Sequence, residues 1–278
     1  MKLSYSRVEL YNTCGMKYKY RYVDKLEADI TPAALLFGSA VDKALNYVLL
    51  RKKHNHVIHL ATAESILLKN MNRWTGQNNL IYFKNEMPDG LSEQNLSEPE
   101  IQDAVWEHLC NVGKKMLAIY LLEVLPLFKE IITVQKKRII ENEEGDSFVL
   151  ITDFSALLQD GRKILVDNKT SSDIKKSYPE NSVEKSTQLA IYSEYEDTKL
   201  CAYLALQKKL VNGKVIWKFV IGEPSSIVAD DSFKKIDNAL KAIKREEFTK
   251  NTKSCFFYGK SCEYFSYCKY GSTKGLKK

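Results

Sequence analysis

The sequence predicts an α/β protein with a helical N-terminal half over 1–127, a mixed β-sheet flanked by helices over 128–250 and a cysteine-rich segment over 251–278. Apolar residues recur at helical spacing up to about residue 127. After Pro126 the character changes to short runs rich in β-branched residues, separated by turn signals. Asn212-Gly213, between two such runs, is a strong hairpin signal. At 278 residues the chain can bury a sizeable core without disulfide staples, and no internal repeat or low-complexity linker divides it, so one interleaved domain is expected.

Composition narrows the class. Hydrophobic residues at 44% and charged residues at 28% exclude a wholly disordered chain. No uninterrupted apolar run approaches the ~18 residues of a membrane helix, and the Met1-Lys2-Leu3-Ser4 start lacks an apolar signal core. The expectation is a cytoplasmic protein with no membrane partner. A net charge of +7 permits a polyanionic partner without requiring one. Six cysteines in such a compartment point to metal rather than to a disulfide framework.

Taken in order, residues 5–26 read as a helix in which Tyr5, Tyr11, Tyr18, Tyr20 and Tyr22 interleave with Arg7, Lys17, Lys19 and Arg21. Such a face either stacks bases or packs with snorkelling basic side chains. A second helix starts at Pro32, which the first turn tolerates. Helical patterning continues over 60–127, broken by a polar stretch at 75–99 that holds Pro88, Gly90 and Pro99 and reads as a loop. Strands follow at 130–140, 147–158 and 162–169, a helix at 182–196, strands at 201–210 and 214–222, and a helix at 231–247.

The hairpin FVLITDFSALLQDGRKILVDNKTSS, residues 148–172, carries the chemistry. Asp153 lies in one apolar strand, Asp167 and Lys169 in the next, and charges there are costly unless paired or metal-bound. Asp167 and Lys169, two apart, share a face. A two-residue turn at Asp160-Gly161 turns Asp153 away from Asp167. A three-residue turn, Gln159-Asp160-Gly161 with Gly161 left-handed, sets the two carboxylates opposite each other. Both turns fit the sequence, and the second is expected because it gathers two carboxylates and an ammonium. That set suits Mg²⁺ or Mn²⁺, with the carbonyl of Asn168 as a further oxygen. The cation would activate water against a phosphoryl group, and Lys169 would hold that water or stabilise developing charge. Without a function, the same residues make a surface hairpin with an Asp–Lys ion pair.

TDF at 152–154, then LVDNKTSS from 165, then STQLAIY over 186–192 together resemble the PD-(D/E)XK nuclease superfamily, and within it the RecB-like branch. That branch includes nuclease domains of recombination helicase-nucleases, CRISPR-adaptation nucleases and phage exonucleases. The resemblance implies a restriction-endonuclease-like core, with Asp153 and Asp167 as metal ligands and Lys169 as the motif lysine. Gln188 and Tyr192 match the branch's Gln-xxx-Tyr motif; four apart on a helix, they share a face. The opening SYSRVELYNTCGMKYKYRYV resembles the family's N-terminal segment. In LFGSAVDKALNYVL, Asp42 stands where many members carry a metal-binding His, four residues after Gly38. Aspartate also suits a hard cation, with altered metal preference.

Cys255, Cys262 and Cys268 are separated by six and five residues, and Cys14 lies far upstream. Some relatives hold a 4Fe-4S cluster with one N-terminal and three C-terminal cysteines, so the resemblance implies such a cluster closing the tail onto Cys14, with zinc as the alternative. The first spacing is longer than in many of those relatives. Cys110 and Cys201 read as core residues. Gly259-Lys260-Ser261 is no phosphate-binding loop, because position 254 is serine. His54, His56 and His59 form a small cluster, either a zinc site or a solvated helix end.

These readings converge on a Mg²⁺- or Mn²⁺-dependent deoxyribonuclease, expected to be an exonuclease on single-stranded DNA or duplex ends in recombination, repair or phage DNA processing. A separate helicase or recombination protein is an expected partner, and a bacterial or phage-infected cell the expected source. The rival is a non-catalytic DNA-binding module of the same fold.

Overall fold

The computed structural model describes residues 1–28, 31–72, 80–81, 87–88, 98–142, 144–196, 198–257 and 260–277. Its main sheet holds β1 (Lys2–Ser4), β2 (Phe128–Glu141), β3 (Ser147–Leu158), β4 (Lys163–Ser171), β5 (Cys201–Gln207) and β6 (Trp217–Gly222). β3 is the hub. It pairs antiparallel with β2 along one edge, and the other edge is shared by two partners. β1 runs parallel to it over Ser147–Val149, and β4 runs antiparallel to it over Phe154–Leu157. Between those two ladders the second edge of β3 has no strand partner among the described residues, and Asp153 lies in that gap. β4 continues parallel beside β5, which turns into β6.

The turn from β3 to β4 is the three-residue one. Leu158 accepts the N–H of Gly161 at 3.0 Å, its own N–H donates to Arg162 at 2.9 Å, and Gly161 is left-handed at φ +85°. The register therefore sets Asp153 opposite Asp167. Asn212 and Gly213, at φ +51° and +73°, make the expected hairpin turn between β5 and β6, closed by a Val211–Lys214 bridge. The two strands are shorter than expected, since Lys208–Leu210 and Lys214–Ile216 leave the ladder to form a long loop around that turn.

Helices cover both faces. The α3 helix (Ala33–Lys53) buries Leu36, Phe37, Ala40, Val41, Ala44, Leu45, Val48 and Leu49, a spacing that places one stripe inward. That stripe packs with α4 (Leu60–Asn72) and α5 (Glu98–Ile119) against Phe128, Phe154, Ile164, Val166 and Leu204 of the sheet. Each such fully buried side chain contributes about 1.5–3 kcal/mol. By length and composition α3 is apolar enough to cross a membrane, contrary to the expectation from uninterrupted runs; half of it is buried in this core. On the other face, after the short α6 (Ile174–Ser177), α7 (Thr187–Tyr195) and α8 (Ser226–Lys244) cover Leu150, Leu165, Cys201 and Val220. Ser186 caps α7 by accepting from Leu189 N–H at 3.0 Å, so the helix begins later than the 182 expected. At its other end buried Glu196 pairs with Lys136 and Arg138 of β2.

The single helix expected over 5–26 is broken into α1 (Tyr5–Thr13), α2 (Gly15–Tyr18) and a π-helical turn, Lys19–Val23. Cys14 is extended, at φ −165° and ψ 111°. The cause is tertiary. Gly15 lies against the C-terminal segment, where a Cβ would come within 2.7 Å of the Thr249 nitrogen, and Met16 N–H donates to Thr249 at 3.2 Å. Further bonds tie the same regions: Tyr11 Oη to the Glu247 carbonyl at 2.6 Å, Asn251 to the Thr13 carbonyl at 2.9 Å, and Tyr264 Oη to the Leu26 carbonyl at 2.8 Å. Glu27–Ala28 pairs antiparallel with Leu276–Lys277. The loop expected at 75–99 lies almost wholly outside the described residues; within it, Leu80–Ile81 pairs parallel with Thr31–Pro32.

Candidate active site

In β4 the N–H groups of Leu165, Asp167 and Lys169 face β5, so those of Val166 and Asn168 face β3. The ladder to β3 ends at Phe154–Val166. Asn168 N–H therefore donates not to a backbone carbonyl but to Oδ2 of Asp153, at 2.8 Å. In a strand the carbonyl of a residue points to the same edge as its N–H, so the Asn168 carbonyl also faces this gap. The fork between the strands is where the candidate residues meet.

Asp167 is 2% exposed. Lys169 Nζ lies 2.6 Å from its Oδ2, a close ion pair. The α7 helix, lying across the same face, supplies the third partner. Gln188 Oε1 accepts from Lys169 Nζ at 3.2 Å, while Gln188 Nε2 donates to Asp167 Oδ1 at 3.2 Å and to Tyr192 Oη at 3.3 Å. One amide thus satisfies a cation with its oxygen and an anion with its nitrogen. The i, i+4 spacing of Gln188 and Tyr192 makes this possible.

Asp42 approaches from α3, on the opposite layer. Its Oδ2 accepts from Asn46 Nδ2 at 3.1 Å, and its charge is felt by Asp153. A cleft of about 450 Å³ opens here, lined by Gly38, Ser39, Asp42, Asn168, Lys169 and Thr170 among others. Gly38 of α3 lies beside β4, where a Cβ would make an ordinary contact with Thr170 Oγ1 at 3.4 Å.

The electrostatics follow from burial. Asp153 is pushed up to about 8 by burial first, then by the charges of Asp167 and Asp42. Burial also raises Asp167, which Lys169 opposes, and raises Asp42. Burial alone would lower Lys169, but Asp167 and Asp153 outweigh it and hold the ammonium protonated. Three carboxylates face one ammonium, a net −2 if all ionise. Among the described residues no three His, Cys, Asp or Glu side chains form a ready-made metal cage. The donor set nonetheless fits a hard divalent cation that retains its own waters: carboxylate and carbonyl oxygens, and surplus negative charge that Lys169 offsets only in part.

Sequence reading missed Tyr120 and Tyr178. Tyr120 is fully buried and opens a π-helical turn, Tyr120–Val124, at the end of α5. Its hydroxyl lies against the buried side chain of Asn168, which opposes the upward shift that burial gives the phenol, beside the charges of Asp153 and Asp42. A tyrosine in the apolar run MLAIYLLEVL signals a polar contact, but only the fold says with what. Tyr178, raised to about 12 by burial, lies near enough for Lys169 to oppose that shift.

The remaining candidates stay apart. His54, His56 and His59 are exposed, the first two with rings 5.9 Å apart, at the end of α3. Tyr18 and Tyr20 are buried packing residues, and Tyr22 lies under Arg7 at 4.5 Å. Cys262 and Cys268 border a small core of Tyr20, Leu26 and Tyr264, and burial pushes the Cys262 thiol up to about 11. Cys14 and Cys255 are half-buried. The ends meet through protein contacts. Gly259 of the Gly-Lys-Ser run lies outside the described residues.

Among solved structures, one described as "Crystal structure of SSO0001" is 11% identical, with 84% of each chain covered and a TM-score of 0.30. No curated protein matches the chain. A family model described as the PD-(D/E)XK nuclease superfamily matches residues 2–269, nearly the whole length. With that match added to the fork of Asp153, Asp167 and Lys169, the chain belongs to the PD-(D/E)XK nuclease superfamily.

Proposed function

We propose that this protein is a Mg²⁺- or Mn²⁺-dependent deoxyribonuclease that hydrolyses phosphodiester bonds of single-stranded DNA or duplex ends, acting as an exonuclease in recombination, repair or phage DNA processing. The observation that carries the reading is the fork itself, where Asp153 and Asp167 face one another and Lys169 is held between Asp167 and Gln188. Asp153, Asp167, the Asn168 carbonyl and Asp42 would hold the cation. Bound there, it supplies Lewis-acid polarisation of the phosphodiester and lowers the pKa of the attacking water.

The chain's own groups do the rest. Lys169, kept protonated, is a charge donor rather than a base, and it offsets charge that builds on the phosphate. Gln188 fixes where that ammonium lies, and Tyr192 fixes Gln188. With no cation present, Asp153 holds a proton up to about pH 8, so cation binding at neutral pH releases it. A separate helicase or recombination protein would supply the strand. Cys14, Cys255, Cys262 and Cys268 form no ready-made metal cage as placed here, and would be the donors for a 4Fe-4S cluster, with zinc as the alternative; a visible absorption band after anaerobic purification, lost in Cys262→Ser, tests this.

End-labelled single- and double-stranded DNA, incubated with Mg²⁺, Mn²⁺ or EDTA, tests the whole reading. A metal-dependent product ladder supports it and gives the polarity. DNA binding without cutting under either metal would favour the non-catalytic module.

A further inference from the structure

Gln135 is left-handed, at φ +48°, in the middle of β2. Its neighbours pair normally, Val134 with Phe154 and Lys136 with Thr152, so Gln135 stands directly across from Asp153. A non-glycine residue in this region is strained and persists only where surrounding structure holds it. Here the side chain reaches α3, where Gln135 Nε2 donates to Asn46 Oδ1 at 3.3 Å. Asn46 Nδ2 in turn donates to Asp42 Oδ2 at 3.1 Å.

The order of donors is forced by chemistry. An ionised carboxylate only accepts, so Asn46 must turn its NH₂ to Asp42 and its oxygen away. An asparagine amide can flip, and flipped it would aim its oxygen at the carboxylate. Gln135, by donating to Oδ1, selects the useful orientation. We propose that Gln135 and Asn46 are positioning residues for Asp42, a two-bond relay that ties the α3 carboxylate to the strand position opposite Asp153. The relay engages Oδ2 and leaves Oδ1 for the cation. This rests on the metal-centre reading above, and it adds residues that sequence patterns do not mark.

The test is Mn²⁺ affinity, measured by calorimetry on the full chain, for wild type, Gln135→Glu, Gln135→Lys and Asn46→Leu, with thermal melts to show that each folds. An ionised glutamate in place of Gln135 can only accept, so Asn46 flips and presents oxygen to Asp42. A lysine in the same place keeps the donor. Expected are about tenfold weaker binding for Gln135→Glu and Asn46→Leu, and binding within about threefold of wild type for Gln135→Lys. Simple attraction between charges predicts the reverse order, since glutamate adds negative charge and lysine removes it. Equal affinities for the Gln135→Glu and Gln135→Lys variants, or tighter binding by Gln135→Glu, would overturn the relay while leaving the metal centre intact. No Mn²⁺ binding by the wild type would overturn both.

Discussion

Asn168 gives its backbone N–H to the carboxylate of Asp153 at 2.8 Å, at the point where β3 and β4 stop pairing. The bond replaces a ladder hydrogen bond with one to a side chain, so the sheet opens without leaving that donor unsatisfied. Opening the sheet there gives the α3 helix access to the half-buried Asp153 and the buried Asp167.

Asp153 should set a pH dependence of stability in cation-free protein. Its carboxyl, raised to about 8 when folded, ionises at about 4 when unfolded. Between those values the folded state binds more protons, so stability falls as pH rises through that window. Asp153→Asn removes this contribution and should be more stable than wild type at pH 8 without metal. Adding Mn²⁺ should raise the melting temperature of wild type and not of the variant. Melting curves at pH 5 and pH 8 check both signs.

Gln188 serves an ammonium and a carboxylate with one amide. Gln188→Leu keeps the volume and loses both contacts, and should lower kcat about tenfold or more. Tyr192→Phe removes one hydroxyl from the chain and should cost no more than about threefold, in line with a single neutral hydrogen bond. Single-turnover cleavage rates separate the two. Equal losses would show that the amide is merely packed in the helix.

Gly15 meets backbone, not a movable side chain. Gly15→Ala should destabilise by about 1–3 kcal/mol and loosen the joined ends. Gly38→Ala, with only an ordinary contact to Thr170, should cost little. Limited proteolysis near residues 249–251 reads the first effect, since undocked ends are cut sooner.

Much of the sheet and of the fork is legible in the sequence. Runs rich in β-branched residues between turn signals mark β3 and β4, and Asp160-Gly161 with a residue before it makes the turn that sets Asp153 opposite Asp167. The N-terminal break is not legible. Residues 5–26 have helical patterning throughout, and only contact with Phe248 and Thr249, more than two hundred residues away, makes an extended Cys14 better than another helical turn. Tyr120 is hidden for the same reason: its run reads as core, and its proximity to Asn168 depends on how α5 meets the sheet. Gln135 offers no sequence signal, because glutamine is not a residue that favours a left-handed backbone.

The proposed chemistry stands or falls on whether the ion-paired Lys169 in this fork acts on a phosphodiester bond. It is read most directly from the Mn²⁺-dependent cleavage rate of end-labelled single-stranded DNA by wild type beside Lys169→Ala, with DNA affinity measured in parallel. We expect a loss of about 100-fold or more in rate with affinity largely retained. Cleavage by Lys169→Ala at the wild-type rate would contradict that role.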